Sequence, residues 1–103
     1  MTDVVTEVCR ALAHPARRRL LRALVLDECD VGHLGGGCGM DQPTVSKHLA
    51  ALRSAGLVTV RVDGRRRCYS LAHPELVLQL LDELDQLGEV VTQPEDEPER
   101  QRA

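Results

Sequence analysis

Residues 41–56 constrain the fold most. Asp41-Gln42-Pro43-Thr44 sets a capping residue and a first-turn proline ahead of Val45, Leu49 and Leu52, which recur at i, i+4 and i+7. Ser54-Ala55-Gly56 then supplies the glycine at which helices commonly stop. This spacing predicts a helix that begins at Asp41 or Gln42 and buries one apolar stripe. Its other face carries Thr44, Lys47, Ala50 and Ala51, with Gln42, Ser46 and His48 around the N-terminal edge. That face is polar where the helix begins and small where it continues, which suits close approach to another surface better than exposure to water.

The segment after that helix narrows the fold further. Leu57 to Val62 has strand composition, Asp63-Gly64 is a strong hairpin signal, and Arg65 to Leu71 runs back with Cys68, Tyr69 and Leu71. A two-stranded hairpin is expected, with Gly64-Arg65-Arg66-Arg67 at its tip. Upstream, Val5, Val8, Leu12 and Ala13 stand at helical spacing until His14-Pro15 interrupts. Pro15 opens a second helix carrying Leu20, Leu21, Leu24 and Val25, with Arg17, Arg18, Arg19 and Arg22 at its start. These arginines are expected to balance Asp27, Glu28 or the C-terminal tail, with one phosphate contact among them. Asp30 can cap a short third helix that includes Val31 and Leu34, before four glycines in residues 35–39 break it. His73-Pro74-Glu75 opens a last helix, whose Leu76, Val77, Leu80, Leu81, Leu84 and Leu87 form a continuous apolar stripe. The predicted class is mainly α with a small β-hairpin, in the order α-α-α-α-β-β-α: a winged helix-turn-helix over residues 1–90, followed by a disordered acidic tail over 91–103.

Charge is distributed along the chain in blocks. The net charge of −3 alone argues against a polyanionic partner. Yet residues 42–70 hold six cations and one acid, while residues 82–103 hold eight acids and two arginines. A local basic patch is what matters for phosphate binding. In a winged helix-turn-helix the capped helix enters the major groove N-terminus first, so Gln42, Thr44, Ser46 and His48 are the candidate base readers. Lys47 with Arg65, Arg66 and Arg67 are the candidate phosphate or minor-groove contacts.

Other classes find less support. Tyr69 is the sole aromatic residue, which excludes a single-strand platform built on stacking side chains. Gly35-Gly36-Gly37 lacks the preceding strand and following lysine of a phosphate-binding loop, and no nucleophile triad or paired carboxylates stand out, so no enzyme is expected. A winged-helix protein-interaction module remains an alternative. No apolar run reaches membrane-span length, and the N-terminus carries no basic apolar leader, so no membrane partner and a cytoplasmic location are expected.

Several blocks together resemble the ArsR/SmtB (arsenic-repressor) family. They are Leu12-Ala13-His14-Pro15-Ala16-Arg17, Gln42-Pro43-Thr44-Val45-Ser46-Lys47-His48-Leu49, Leu52-Arg53, Ala55-Gly56-Leu57-Val58, and Asp63-Gly64-Arg65 leading to Tyr69. The resemblance covers roughly residues 4–88. It implies a homodimer joined through the first and last helices, with Val5, Val8, Leu12 and Val77 as candidate interface residues. It further implies a repressor that binds an inverted-repeat operator in double-stranded DNA and is released by an inducer. A metal-activated regulator or a transcriptional activator is the alternative within the same family.

The family's sensing sites do not carry over intact. Its Cys-x-Cys positions in the third helix are occupied here by Asp30 and Gly32, with Cys29 shifted by one. The last-helix set corresponds to His73, Glu75, Gln86 and Glu89, with one histidine. Cys9, Cys29, Cys38 and Cys68 are scattered, without a Cys-x-x-Cys pair. Three readings of Cys9, Cys29 and Cys38 stay open: cysteine or histidine ligands to a transition metal or metalloid, a thiol-redox sensor, or small buried apolar residues. Cys38 sits just before the capped helix, where a modification could move it.

Overall fold

The computed structural model describes residues 3–26 and 39–92. Four helices and one hairpin are formed there: α1 (Val4–Leu12), α2 (Pro15–Leu26), α3 (Gln42–Ser54), β1 (Val58–Asp63), β2 (Arg66–Leu71) and α4 (Pro74–Val91). The short helix expected around Asp30–Leu34 and the glycine loop after it lie outside the described residues, as does the tail from residue 93 onward.

The starts of α1, α2 and α3 have local chemical causes. Asp3 caps α1, its Oδ1 accepting the Thr6 backbone N–H at 2.7 Å. α2 begins with Pro15, and the His14 carbonyl accepts the N–H groups of Arg17 and Arg18. Asp41 caps α3, with Pro43 in the first turn. The end of α3 is equally well defined. Gly56 adopts φ +84°, its N–H bonds the Arg53 carbonyl, and the Leu57 N–H bonds that of Leu52 at 2.9 Å. This is a Schellman stop, in which a left-handed glycine turns the chain out of the helix and two otherwise unpaired carbonyls are satisfied. Leu52 and Leu57 are both buried across that stop. The chain therefore leaves α3 directly into β1.

β1 and β2 pair antiparallel from Val58 opposite Leu71 to Asp63 opposite Arg66. The turn is Gly64-Arg65, with Gly64 at φ +64°. A positive φ at the first central position suits a two-residue hairpin, and only glycine adopts it without strain. Arg66 and Arg67 are thus strand residues beside the tip rather than the tip itself.

α2 is the hub. It packs on α1, α3, α4 and β2, and its Leu20, Leu21 and Leu24 are enclosed. Val45, Leu49 and Leu52 of α3 meet them, as the i, i+4, i+7 spacing predicts, and Tyr69, Leu71, Val77 and Leu81 complete the core. The arrangement is a winged helix-turn-helix whose core is built from Leu, Val and Ala together with Tyr69.

Two apolar faces read from sequence as single stripes divide in the structure. In α4, Val77 (5% exposed) and Leu81 (1%) enter the core, while Leu76 (68%), Leu80, Leu84 and Leu87 (57%) remain outside. In α1, Ala11 and Leu12 are buried, whereas Val4 and Val5 point outward. α4 continues through Gly88 to Val91, about where the tail is expected to begin.

Candidate nucleic-acid interface

The candidate surface is built on α3 and the hairpin. Because α3 packs against β1, helix and wing form one frame. Burying Val45, Leu49 and Leu52 turns the opposite side of α3 outward, and Gln42, Ser46 and Lys47 are exposed there. Thr44 is half-buried at the cap. Its backbone N–H donates to Asp41 Oδ1 at 2.8 Å. The Thr44 hydroxyl and this N–H hold the Asp41 carboxyl below the usual carboxylate range. On the wing, Arg65, Arg66 and Arg67 are all exposed, while Cys68 and Tyr69 turn into the protein. Asp63, the one acid of the basic stretch, lies 3.6 Å from Arg61.

His48 is placed differently from its neighbours. It is half-buried, and its Nδ1 accepts a hydrogen bond from Arg17 Nε of α2 at 3.1 Å. The His14 ring lies 6.2 Å away, centroid to centroid. Burial pushes the His48 imidazole below the ordinary histidine range, helped by the positive charges of Arg17, His14 and Lys47. His14 itself belongs to the α1–α2 turn, as its sequence context suggests.

Arg17 is the site residue that sequence reasoning missed. It was indistinguishable from Arg18, Arg19 and Arg22 in a run, and its partner is 31 residues away. Arg22 Nη2 reaches Asp82 at 2.9 Å and Asp85 at 2.7 Å and so ties α2 to α4, while the tail lies outside the described residues. Arg18 donates to the Leu12 carbonyl and closes the α1–α2 corner. Asp27 and Glu28 lie outside the described residues.

Of the candidate interface residues, Val5 is exposed and Val8 half-buried, whereas Leu12 and Val77 belong to the core of their own protomer. The outward apolar residues are Leu76, Leu80, Leu84, Leu87, Val90 and Val91 of α4, with Val4 and Val5 of α1. A groove of about 510 Å³ runs between the two helices, lined by Val8, Leu12, Leu80 and Leu84, with Cys9 and Arg18 at its edge. Cys9 is exposed and Cys68 is buried. Cys29 and Cys38 lie outside the described residues. Among the described residues no cluster of three or more His, Cys, Asp or Glu side chains is placed to hold a metal ion. No described helix is long and apolar enough to cross a membrane.

A winged helix-turn-helix with an exposed polar helix start and an arginine-bearing wing defines a class of nucleic-acid-binding proteins. Similarity to known proteins agrees with that class. A family model described as a helix-turn-helix domain matches residues 12–61. The transcriptional regulator CmtR of Mycobacterium tuberculosis is 42% identical over 71 residues, 69% of this chain and 60% of that protein. An uncharacterized helix-turn-helix regulator of the same species, Rv0081, is 41% identical over 71 residues, 68% of this chain and 62% of its own length. The chain thus spans about six tenths of these relatives. The homodimeric winged helix-turn-helix DNA-binding domain of a possible ArsR-family regulator from Mycobacterium bovis superposes with a TM-score of 0.75. It is 34% identical, and the match covers 84% of this chain and 80% of that one. The chain belongs to the ArsR/SmtB family of winged helix-turn-helix proteins.

Proposed function

We propose that this protein is a homodimeric transcription repressor that binds double-stranded DNA through α3 and the wing. The observation that carries this is the outward face of α3. Gln42, Ser46 and Lys47 are exposed at a capped helix start, on the same frame as Arg65, Arg66 and Arg67. Amide and hydroxyl side chains at a helix N-terminus can reach base edges, and the cations neutralise phosphates.

The second subunit would cover the outward apolar residues of α1 and α4. An apolar surface of this extent is unusual on a monomer. The similar Mycobacterium bovis domain is homodimeric, which supports association of two copies here. Two-fold symmetry would set two α3 helices about one DNA turn apart, so the operator is proposed to be an inverted repeat. Leu12 would contribute its groove-lining edge to this seam, and Val77 would support it from behind.

The releasing signal is proposed to act on thiols, through Cys9 with Cys29 or Cys38, either as ligands to a metal or metalloid or as an oxidised pair. Cys9 is exposed and lines the α1–α4 groove, which supports a link between such chemistry and the way the subunits pack. A coupling of about 1–3 kcal/mol between signal and DNA would change affinity about 5- to 150-fold.

The test is selection of duplexes from a random 30-base-pair library, followed by fluorescence anisotropy of the reduced protein on the selected and a scrambled duplex. Selective, salt-sensitive binding is expected. Recovery of no enriched sequence would replace the DNA reading with that of an interaction module. A variant with all four cysteines changed to serine that still responded fully to the inducer would remove the thiol part alone.

A further inference from the structure

We infer that Arg17 is a positioning residue for sequence reading: by donating to Nδ1 it fixes His48 as the Nε2–H form and makes α3 present a hydrogen-bond donor to a base-edge acceptor. This rests on the DNA-reading role proposed above for α3.

The chemistry leaves one assignment. Arginine is always protonated and has only donors, so the ring nitrogen 3.1 Å from Arg17 Nε must be the unprotonated one. A neutral imidazole with a bare Nδ1 carries its hydrogen on Nε2. Nε2 points away from Arg17 across the ring. It has no protein partner among the described residues, and no described side-chain nitrogen or oxygen is both buried and unpartnered. Among the described residues the Nε2–H has no acceptor and is left as a donor that α3 can present.

The surroundings keep the ring neutral. Burial disfavours the charged ring, and Arg17 on α2, His14 in the α1–α2 turn and Lys47 on α3 add positive or potentially positive groups around it. A proton added to Nδ1 would point at the Arg17 N–H, leaving two donors opposed. α2 supplies the rigidity. Its start is set by Pro15 and by the His14 carbonyl, which accepts the Arg17 N–H at 3.0 Å, so the stem of Arg17 leaves a fixed point.

A donor discriminates among bases. In the major groove it pairs with guanine N7 or O6, adenine N7 or thymine O4, and it opposes the amino groups of cytosine and adenine. An untethered histidine could present either nitrogen and would read less. Arg17 thus acts on specificity without touching DNA.

The test uses the full chain. Long-range proton–nitrogen NMR of histidine-labelled protein at pH 7.5 should show Nδ1 bare and Nε2 protonated at His48, with a mixture in Arg17→Met, which keeps the aliphatic stem but has no donor. Anisotropy on the selected and scrambled duplexes is then compared for wild type, Arg17→Met, His48→Ala and the double variant. Arg17→Met should lower the preference for the selected duplex about five- to tenfold, with unchanged binding to the scrambled one. It should cost nothing further in the His48→Ala background. Replacing one selected-site purine with its 7-deaza analogue, or thymine O4 with a thiocarbonyl, should abolish the His48→Ala penalty at a single position.

An Nδ1–H form in the wild type would overturn the inference, as would additive losses in the double variant or an equal loss on both duplexes, which would make Arg17 a phosphate contact. Loss of the His48→Ala penalty on a methylphosphonate backbone would overturn it too. Should Arg17→Met melt much earlier than wild type, Arg17→Gln, which keeps an N–H donor, must restore both the tautomer and the preference. Failure of the DNA reading itself would be separate: no duplex would be enriched, whatever the tautomer.

Discussion

Asp41 holds the start of α3 by accepting the Thr44 backbone N–H at 2.8 Å. The helix that presents Gln42, Ser46 and Lys47 therefore begins at a fixed residue. Asp41→Ala leaves the N–H groups of that first turn without a side-chain acceptor, and should lower Tm by several degrees in a thermal melt at pH 7. Asp41→Asn, still a good cap, should change it little. The depressed carboxyl sets the sign with pH. The cap's contribution is present above the ordinary Asp value of 3.8 and is lost as pH falls through the lower folded value. The melting difference between wild type and Asp41→Asn should accordingly change below pH 4, with wild type losing the most.

The divided faces of α4 predict two distinct phenotypes. Leu80→Glu with Leu84→Glu should leave the protomer folded by circular dichroism and shift sedimentation from dimer to monomer. Leu81→Ala should lower unfolding free energy by about 2–5 kcal/mol in denaturant melts, because Leu81 is enclosed and its loss leaves a cavity. Weakening of both variants in the same way would contradict the separation of seam from core.

The wing's cations should read out as salt dependence. If Arg65 and Arg67 each neutralise one phosphate per subunit, changing either to alanine in the dimer removes two contacts. The slope of log affinity against log salt should then fall by about 1.8. Gly64→Ala tests the turn by another route. A side chain at φ +64° is strained, so stability should drop by about 1–2 kcal/mol.

Arg22 bridges Asp82 and Asp85 on an exposed surface. Such pairs are screened by solvent, and Arg22→Ala should cost no more than about 1 kcal/mol and less at high salt. A larger loss would mean that the tie orients α4 against α2.

Much of this fold was legible because its signals are local. The Asp41 cap, Pro15, Pro43, Pro74 and the Gly56 stop are short-range chemistry, and they place four helix boundaries to within a residue or two. The Val45, Leu49, Leu52 stripe is likewise a property of one helix. Partition of the α4 leucines was not legible, since which side of a wide apolar helix enters the core depends on where α2 lies. The turn lies one residue beyond the Asp63-Gly64 pair because register is set by Val58 opposite Leu71 at the far end. Of the candidate DNA contacts, Gln42, Ser46, Lys47 and the three arginines are outward-facing, as helix phase and hairpin position suggest. The engagement of His48 with Arg17 joins two elements far apart in sequence, so no periodicity could show it.

The most direct test of α3 as the reading surface is the affinity ratio between selected and scrambled duplexes for wild type and for Gln42→Ala with Ser46→Ala. Both side chains are exposed and hold no described part of the core. An unchanged melt, unchanged weak binding to the scrambled duplex and a loss of at least tenfold in preference for the selected one are expected. Retention of the full preference by this double variant would contradict the reading role of α3.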